Sequence, residues 1–366
     1  MTTTLQDIAD VVGVSRVTVS RVLRGKVKGC WPKSAAQVER IRRVAEELDY
    51  RVDWRAKTLK TGRTHLIGLL STDKPQTRLH DPRLLDALTD AFGTLGYHLT
   101  YVRVRPADAG RQRGDGFADS RFDGLLVDYH LEEEELRVVQ QAQAPAVIIN
   151  APAPAPVDGG DGGDGGCGIV SVMPDHAEAG RLAAGHLLEL GHRRVAFVRT
   201  PTGERSRWPQ HMYNAWRAAF RREVEAAGGV YAEVEAVAER LEDHAAGYAE
   251  ALGAALGGPD APTALLASNP EQAAEVLLPH LRAAGLRCPE DVSVLAMGHQ
   301  REAGWTSPPL TCLHLPFDEV GADSARRLVA MIEGREAEPP PRFGLRVVPA
   351  GSTGPPPPPA AAAAAG

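Results

Sequence analysis

The sequence predicts a small all-α head of helix-turn-helix form joined to a larger α/β body. Three observations lead there. Within the first fifty residues, apolar side chains recur at helical spacing between capping signals. From Leu66 onward, short apolar strands alternate with helical stretches, the pattern of βαβ units in a parallel sheet. The charge is also divided: up to Arg63 there are 14 Lys+Arg against 7 Asp+Glu, or +7, so with a net charge of −6 the remainder carries −13. A basic segment on an acidic body suits a polyanionic partner, because Lys and Arg that neutralise phosphates release counterions. At 366 residues the chain also exceeds what one ordinary core organises.

In the head, Leu5, Ile8, Ala9 and Val12 define the first helix, and Thr4 with Asp7 has the form of its capping box. Gly13 breaks the pattern. Ser15 is placed to cap a second helix running through Val19, Val22 and Leu23 toward Gly25. On that helix Val14, Val19, Val22 and Leu23 pack inward, which leaves Arg16, Val17, Ser20 and Arg21 on the opposite face. Arg can bond guanine O6 and N7 with two N–H groups, Ser can bond a base edge or phosphate, and an exposed Val can pack on a thymine methyl. Ser34 caps a third helix with Val38, Ile41, Ala45 and Leu48 inward, ending near Tyr50. Residues 51–63, basic and without strand alternation, form a connector.

The run Thr4-Leu5-Gln6-Asp7-Ile8-Ala9, then Gly13-Val14-Ser15 and Thr18-Val19-Ser20-Arg21-Val22-Leu23, resembles the lactose/galactose repressor family of bacterial transcriptional regulators. The resemblance implies a sequence-specific DNA-binding regulator, a repressor, and a DNA-facing set of Thr4, Leu5, Ser15, Arg16, Val17, Thr18, Ser20, Arg21, Arg24, Arg55, Ala56 and Leu59. It also implies a hinge helix after the third helix, whose Leu59 is either a wedge in the minor groove or a linker residue packed on the body. Val52-Asp53 departs from the family's Pro-Asn, and the loop holding Gly29, Cys30, Trp31 and Pro32 is longer than the family's.

In the body, the expected strands are 65–70, 99–104, 124–127, 146–149, 195–199, 233–237, 264–267 and 292–297. Eight is many for one small sheet. The Gly/Asp-rich insertion at 158–166 therefore suggests a division into two lobes, and without further repeats it reads as a solvated loop rather than a calcium site. The resemblance extends to about Thr353 through Ser171-Val172-Met173-Pro174-Asp175, Leu190-Gly191-His192-Arg193-Arg194, Pro289-Glu290-Asp291-Val292 and Pro308-Pro309-Leu310-Thr311. It implies a two-lobed α/β fold like type I periplasmic binding proteins, with an effector between the lobes and homodimerisation through them.

Ligands of open α/β sheets bind beyond the carboxyl ends of the strands. That places Ser71, Thr72, Asp73, Asp128, Asn150, Ser268 and Asn269 as candidate contacts, each able instead to cap a neighbouring helix. The expected effector contacts are Ser71, Asp73, Asp128, Asn150, Asn269 and His299. Gly298-His299 stands where the family carries an aspartate pair, and Met212 where relatives often have an arginine, so either the ligand is not a standard hexose or His299, Arg205 or Arg207 compensates.

The expected domains are 1–50, a hinge at 51–63, an effector-binding and dimerisation domain at 64–350, and a disordered Pro/Ala tail at 351–366. The partners implied are a pseudo-palindromic duplex operator, a carbohydrate-like small molecule and a second copy of the chain. No uninterrupted apolar run suits a bilayer and the N-terminus lacks a secretory pattern, so the expected place is the cytoplasm, with reduced thiols. Cys30, Cys167, Cys288 and Cys312 lack metal-ligand spacing, so no metal or cofactor is expected. An enzyme is disfavoured, since no Gly-x-Ser-x-Gly, His-Glu-x-x-His or correctly placed dinucleotide motif occurs. The other alternative, a periplasmic sugar carrier, does not account for the basic head.

Overall fold

The computed structural model describes residues 3–23, 34–50, 58, 62–72, 82–104, 121–128, 139, 142, 144–152, 168–199, 212–235, 244–298, 301–336 and 341–358. They form two compact units, Met1–Thr64 and His65–Gly366.

The first unit holds α1 (Leu5–Val12), α2 (Arg16–Leu23) and α3 (Ser34–Glu47). Gly13, at φ 77, ends α1 and sends its amide to the Ala9 carbonyl at 2.9 Å. A left-handed residue here lets α2 turn away within two residues. Ile8, Ala9, Val12, Val19, Val22, Ile41, Val44 and Ala45 are buried together, with Leu5, Val14, Leu23, Val38, Leu48 and Tyr50 packed on them. Each helix is too short to persist alone, so this shared core holds all three. The Thr3 hydroxyl adds a tie to the Leu48 carbonyl at 2.7 Å, joining the chain start to the end of α3.

The second unit contains two sheets. Sheet A is parallel, in the order β2 (His98–Val104), β1 (Leu66–Thr72), β3 (Gly124–Asp128), β4 (Ala146–Ile149), β5 (Ile169–Val172). Sheet B runs β11 (Arg346–Val348), β10 (Thr311–His314), β9 (Ser293–Met297), β8 (Ala264–Ala267), β6 (Arg194–Arg199), β7 (Val230–Glu235), with β11 alone antiparallel. Side chains alternate in destination: Val195, Phe197, Leu266 and Leu295 enter one core, while Ala196, Val198, Leu265 and Val294 enter the other. Burial on both faces is why these strands read as continuous apolar runs.

The helices are α4 (Pro82–Leu95), α5 (His176–Glu189), α6 (Met212–Ala226), α7 (His244–Leu256), a helical run α8 from Pro270 to Ala283, and α9 (Phe317–Ile332). Within α8, Ala273–Leu277 form a π turn in which the Leu278 amide reaches back to Ala273. Pro279 has no amide, and its ring crowds the carbonyl four residues back, so the run widens just before it. Close helix pairing depends on two glycines. A Cβ at Gly180 of α5 would collide with the Trp216 carbonyl of α6, and one at Gly321 of α9 would lie 2.9 Å from the Ala87 Cβ of α4.

The chain changes sheets three times. From β5 it passes through Met173, Pro174 and Asp175 to α5, which packs beside α6, β10 and β11. From β10 it passes through Leu315 and Pro316 to α9, which packs on α4, β3, β4 and β5. It then returns to β11. Among the described residues eleven strands stand where eight are expected, because β5, β10 and β11, only three or four residues long, are too short to show a strand pattern. Strand β7 begins at Val230 rather than 233; as an edge strand it leaves most residues exposed and lacks a clear apolar pattern.

Candidate functional site

In the head, the caps expected at Thr4 and Ser15 form, while Ser34 is the first residue of α3 rather than the residue before it. The Thr4 hydroxyl accepts the Asp7 amide at 3.4 Å, and the Asp7 carboxylate accepts the Thr4 amide at 2.7 Å. Those bonds from Thr4 hold the Asp7 pKa below its ordinary value. Ser15 caps α2 by accepting the Thr18 amide at 3.1 Å, and its hydroxyl shares a 2.8 Å bond with that of Thr18. With Val19 and Val22 buried beneath, the outer side of α2 carries exposed Arg16 and Arg21, half-buried Ser20, and Val17 at 61% exposure. An isopropyl group this exposed beside two guanidiniums gains nothing from the core. It fits a surface that meets apolar and hydrogen-bonding edges together, as in a DNA major groove. Arg24, Arg55, Ala56 and Leu59 lie outside the described residues.

In the body, the crossover from β10 to α9 spans only Leu315 and Pro316. At no more than about 3.5 Å per residue, it brings the carboxyl end of sheet B against a helix seated on sheet A. Loops at the carboxyl ends of both sheets therefore flank the crossovers, where a ligand can touch both lobes. Phe317, the first residue of α9, is buried there under the Arg83 guanidinium of α4, 5.9 Å from the ring centre.

Ser71 and Thr72 are the last two residues of β1, not loop residues after it, and Asp128 is the last residue of β3. Asn150 follows β4, fully buried, with left-handed backbone at φ 61, a conformation Asn tolerates better than most residues. Its amide bonds the Val172 carbonyl at 3.1 Å, and Ser171 Oγ reaches the Ala151 carbonyl at 2.6 Å, so the end of β4 is fixed to β5. Asp73, Arg205, Arg207, His299 and the 158–166 insertion lie outside the described residues, as does the Met212 side chain.

Asn269 follows β8 and caps α8, its Oδ1 accepting the Gln272 amide at 2.7 Å. A buried chain of bonds continues from there. Gln272 Oε1 accepts the Ser268 amide at 2.7 Å, Gln272 Nε2 donates to Tyr248 at 2.8 Å, and Tyr248 donates to the Arg199 carbonyl at 2.8 Å. Sequence reasoning missed Tyr248 and Gln272, since nothing local signals partners 24 residues apart. Among the described residues no group of three His, Cys, Asp or Glu could hold a metal ion, and no helix is long and apolar enough to cross a membrane.

A three-helix head with a helix-turn-helix and a two-sheet α/β body define a class: a DNA-binding regulator that carries a small-molecule-binding domain. Residues 4–53 match the profile of bacterial regulatory proteins of the lacI family, and residues 184–353 match that of the periplasmic binding protein-like domain. The chain thus carries a lacI-family DNA-binding domain followed by a periplasmic binding protein-like domain, the make-up of a transcriptional regulator. It is 27% identical over 340 residues to the HTH-type transcriptional regulator CelR of Thermobifida fusca, covering 92% of this chain and 94% of that protein. The fold is that of the lac repressor dimer bound to operator and an anti-inducer, with a TM-score of 0.70 at 22% identity over 97% of this chain and 100% of that one. A CelR–cellobiose complex superposes with a TM-score of 0.62 at 24% identity, over 96% and 99% of the two chains.

Proposed function

We propose that this protein is a cytoplasmic homodimeric repressor whose paired α2 helices read a pseudo-palindromic operator, and whose operator affinity is set by a carbohydrate-like effector at the carboxyl strand ends. The exposed surface of Arg16, Val17, Ser20 and Arg21 on a braced helix carries this reading. Thr4, Leu5, Ser15, Thr18 and Arg24 extend the DNA-facing set. Residues 51–63 act as the hinge, with Arg55, Ala56 and Leu59 toward the duplex. The Gly62 amide bonds the Thr58 carbonyl at 2.8 Å with Gly62 at φ 68, a helix-ending geometry that supports a short hinge helix.

The operator-bound dimer of the lac repressor and the cellobiose complex of CelR support the partners proposed here. Ser71, Asp73, Asp128, Asn150, Asn269 and His299 are the proposed effector contacts. Gly298, at φ 88 after β9, carries no carboxylate where the family resemblance places one, so either the effector differs from a simple hexose in the group facing that position or His299, Arg205 or Arg207 compensates. The effector changes DNA affinity only through unequal affinity for the two lobe arrangements. Selection of bound sequences from random duplex DNA, with and without a panel of sugars and nucleobases, tests the reading. The expected result is a two-fold symmetric site whose recovery shifts with one compound class; equal recovery of all duplexes at moderate salt would overturn it.

A further inference from the structure

The expected disordered tail from 351 begins instead as an ordered strap. Residues 350–354 run across the amino-terminal ends of the strands of sheet B, opposite the proposed effector loops. Ser352 Oγ donates to the Val294 carbonyl at 2.6 Å and accepts the Thr311 amide at 2.8 Å, while the Ser352 carbonyl accepts the Val294 amide at 2.8 Å. The Thr353 hydroxyl lies 2.9 Å from that of Thr311 and 3.0 Å from His186 Nε2 of α5. The Gly354 amide donates to Ser293 Oγ at 3.1 Å.

His192 closes this arrangement. It is fully buried, with Nε2 2.9 Å from the Gly354 carbonyl and 3.1 Å from Ser293 Oγ, and Nδ1 2.8 Å from Thr263 Oγ1. A carbonyl only accepts, so Nε2 carries the proton and Nδ1 accepts from the Thr263 hydroxyl. A second proton would enter at Nδ1. The Thr263 hydroxyl has somewhere to turn, the Arg194 carbonyl at 3.2 Å, but the new charge has no carboxylate among its described contacts. The His186 ring acts on it and disfavours the charge; Glu189 acts on His186 instead. The Arg193 guanidinium bonds the Leu188 and His192 carbonyls, and that of Arg194 the Ala261 carbonyl. The Cys288 thiol beside the Ser352 carbonyl is pushed up by burial to about 12 and stays neutral. Burial lowers the pKa of both histidines, more than the Gly354 carbonyl raises that of His192.

We infer that His192 and His186 form a proton-sensitive clasp: neutral, they hold residues 350–354 against the base of sheet B, and protonated, they release that strap. The sign follows from a folded pKa below the ordinary 6.5. The released state binds the proton more readily, so the hold is full above about pH 6.5 and weakens as pH falls below it. The strap ties down the starts of β9 and β10, so its release loosens the body independently of the DNA-reading head.

Amide hydrogen exchange on the full-length protein at pH 7.5 and pH 5, corrected for intrinsic exchange, tests the clasp. Protection at Val294, Thr311, Ala350 and Gly354 is expected to fall severalfold more than in β1. His192→Gln combined with His186→Gln retains donors and cannot titrate in this range, so it should abolish the excess. Equal loss in strap and β1 for the parent, or an unchanged excess in the variant, overturns the proposal. If the variant does not fold, NMR titration of the parent decides: His192 titrating below 6.5 together with loss of strap protection supports the clasp, and His192 titrating at or above 6.5 refutes it.

Discussion

Asn269 Oδ1 holds the amide of Gln272 at 2.7 Å, which makes a residue expected to face ligand the cap of α8. Both roles compete for the same oxygen. Asn269→Ala is expected to lower stability by about 0.5–2 kcal/mol, the usual cost of losing such a cap, whereas Asn269→Asp keeps an accepting oxygen and most of the stability. Urea unfolding of the three proteins measures this. An alanine variant as stable as the parent would mean that the cap contributes nothing.

Asp7 offers a test in the head. Its carboxylate takes the Thr4 amide, so its pKa is lower folded than unfolded. A group depressed in this way stabilises above its unfolded pKa and loses its contribution as pH falls through the folded value. Exchange of the α1 amides should therefore be slower in the parent than in Asp7→Asn at pH 6, with the gap closing toward pH 3. A gap of constant size across that range would remove the carboxylate from the explanation.

These two sites mark what the sequence makes legible. Thr4, Asp7, Ser15 and the strand 264–267 were readable because a cap acts over three residues and a doubly buried strand is apolar at every position. The partners of His192 were not, lying 71, 101 and 162 residues away, and no local period encodes a long-range pair. Strap residues 351–354 were hidden for a related reason. Glycine, serine and threonine next to a proline run look like linker, yet Ser352, Thr353 and Gly354 each bond the start of a strand here. Asn150 and Asn269 were found as strand-end residues, but whether such a residue caps or waits for ligand depends on where the next helix turns.

Arg21 is exposed on the outer face of α2, one residue from buried Val22. If it reads guanine with two N–H groups, Arg21→Ala should weaken binding to the selected site by about 1–3 kcal/mol and relax preference at one base pair of each half-site. Arg43→Ala is the contrast: Arg43 lies on α3 and pairs with Glu47 at 3.7 Å in solvent, so any loss should be uniform across sequences. Competition binding against single-base variants of the site distinguishes the two. Unchanged discrimination in Arg21→Ala would take the base contact away from that side chain.

In α9, Asp323 and Arg327 form an ion pair with side chains 8% and 7% exposed, on a helix buried nearly all round between sheet A and α4. Removing such charges from water is costly, and their attraction roughly offsets that cost, so the pair is worth little compared with apolar side chains of the same size. Breaking it is different, since Asp323→Ala leaves the Arg327 guanidinium buried without its carboxylate. A loss of about 3–5 kcal/mol is expected, while Asp323→Leu with Arg327→Met should lie near the parent or above it. Because α9 packs on β3, β4 and β5, exchange in the single variant should rise first in sheet A, with β6 and β8 following later. Thermal unfolding with site-resolved exchange measures both effects. A single variant no less stable than the double would show that the Arg327 charge reaches water once its partner is gone, and that α9 is not sealed at that position.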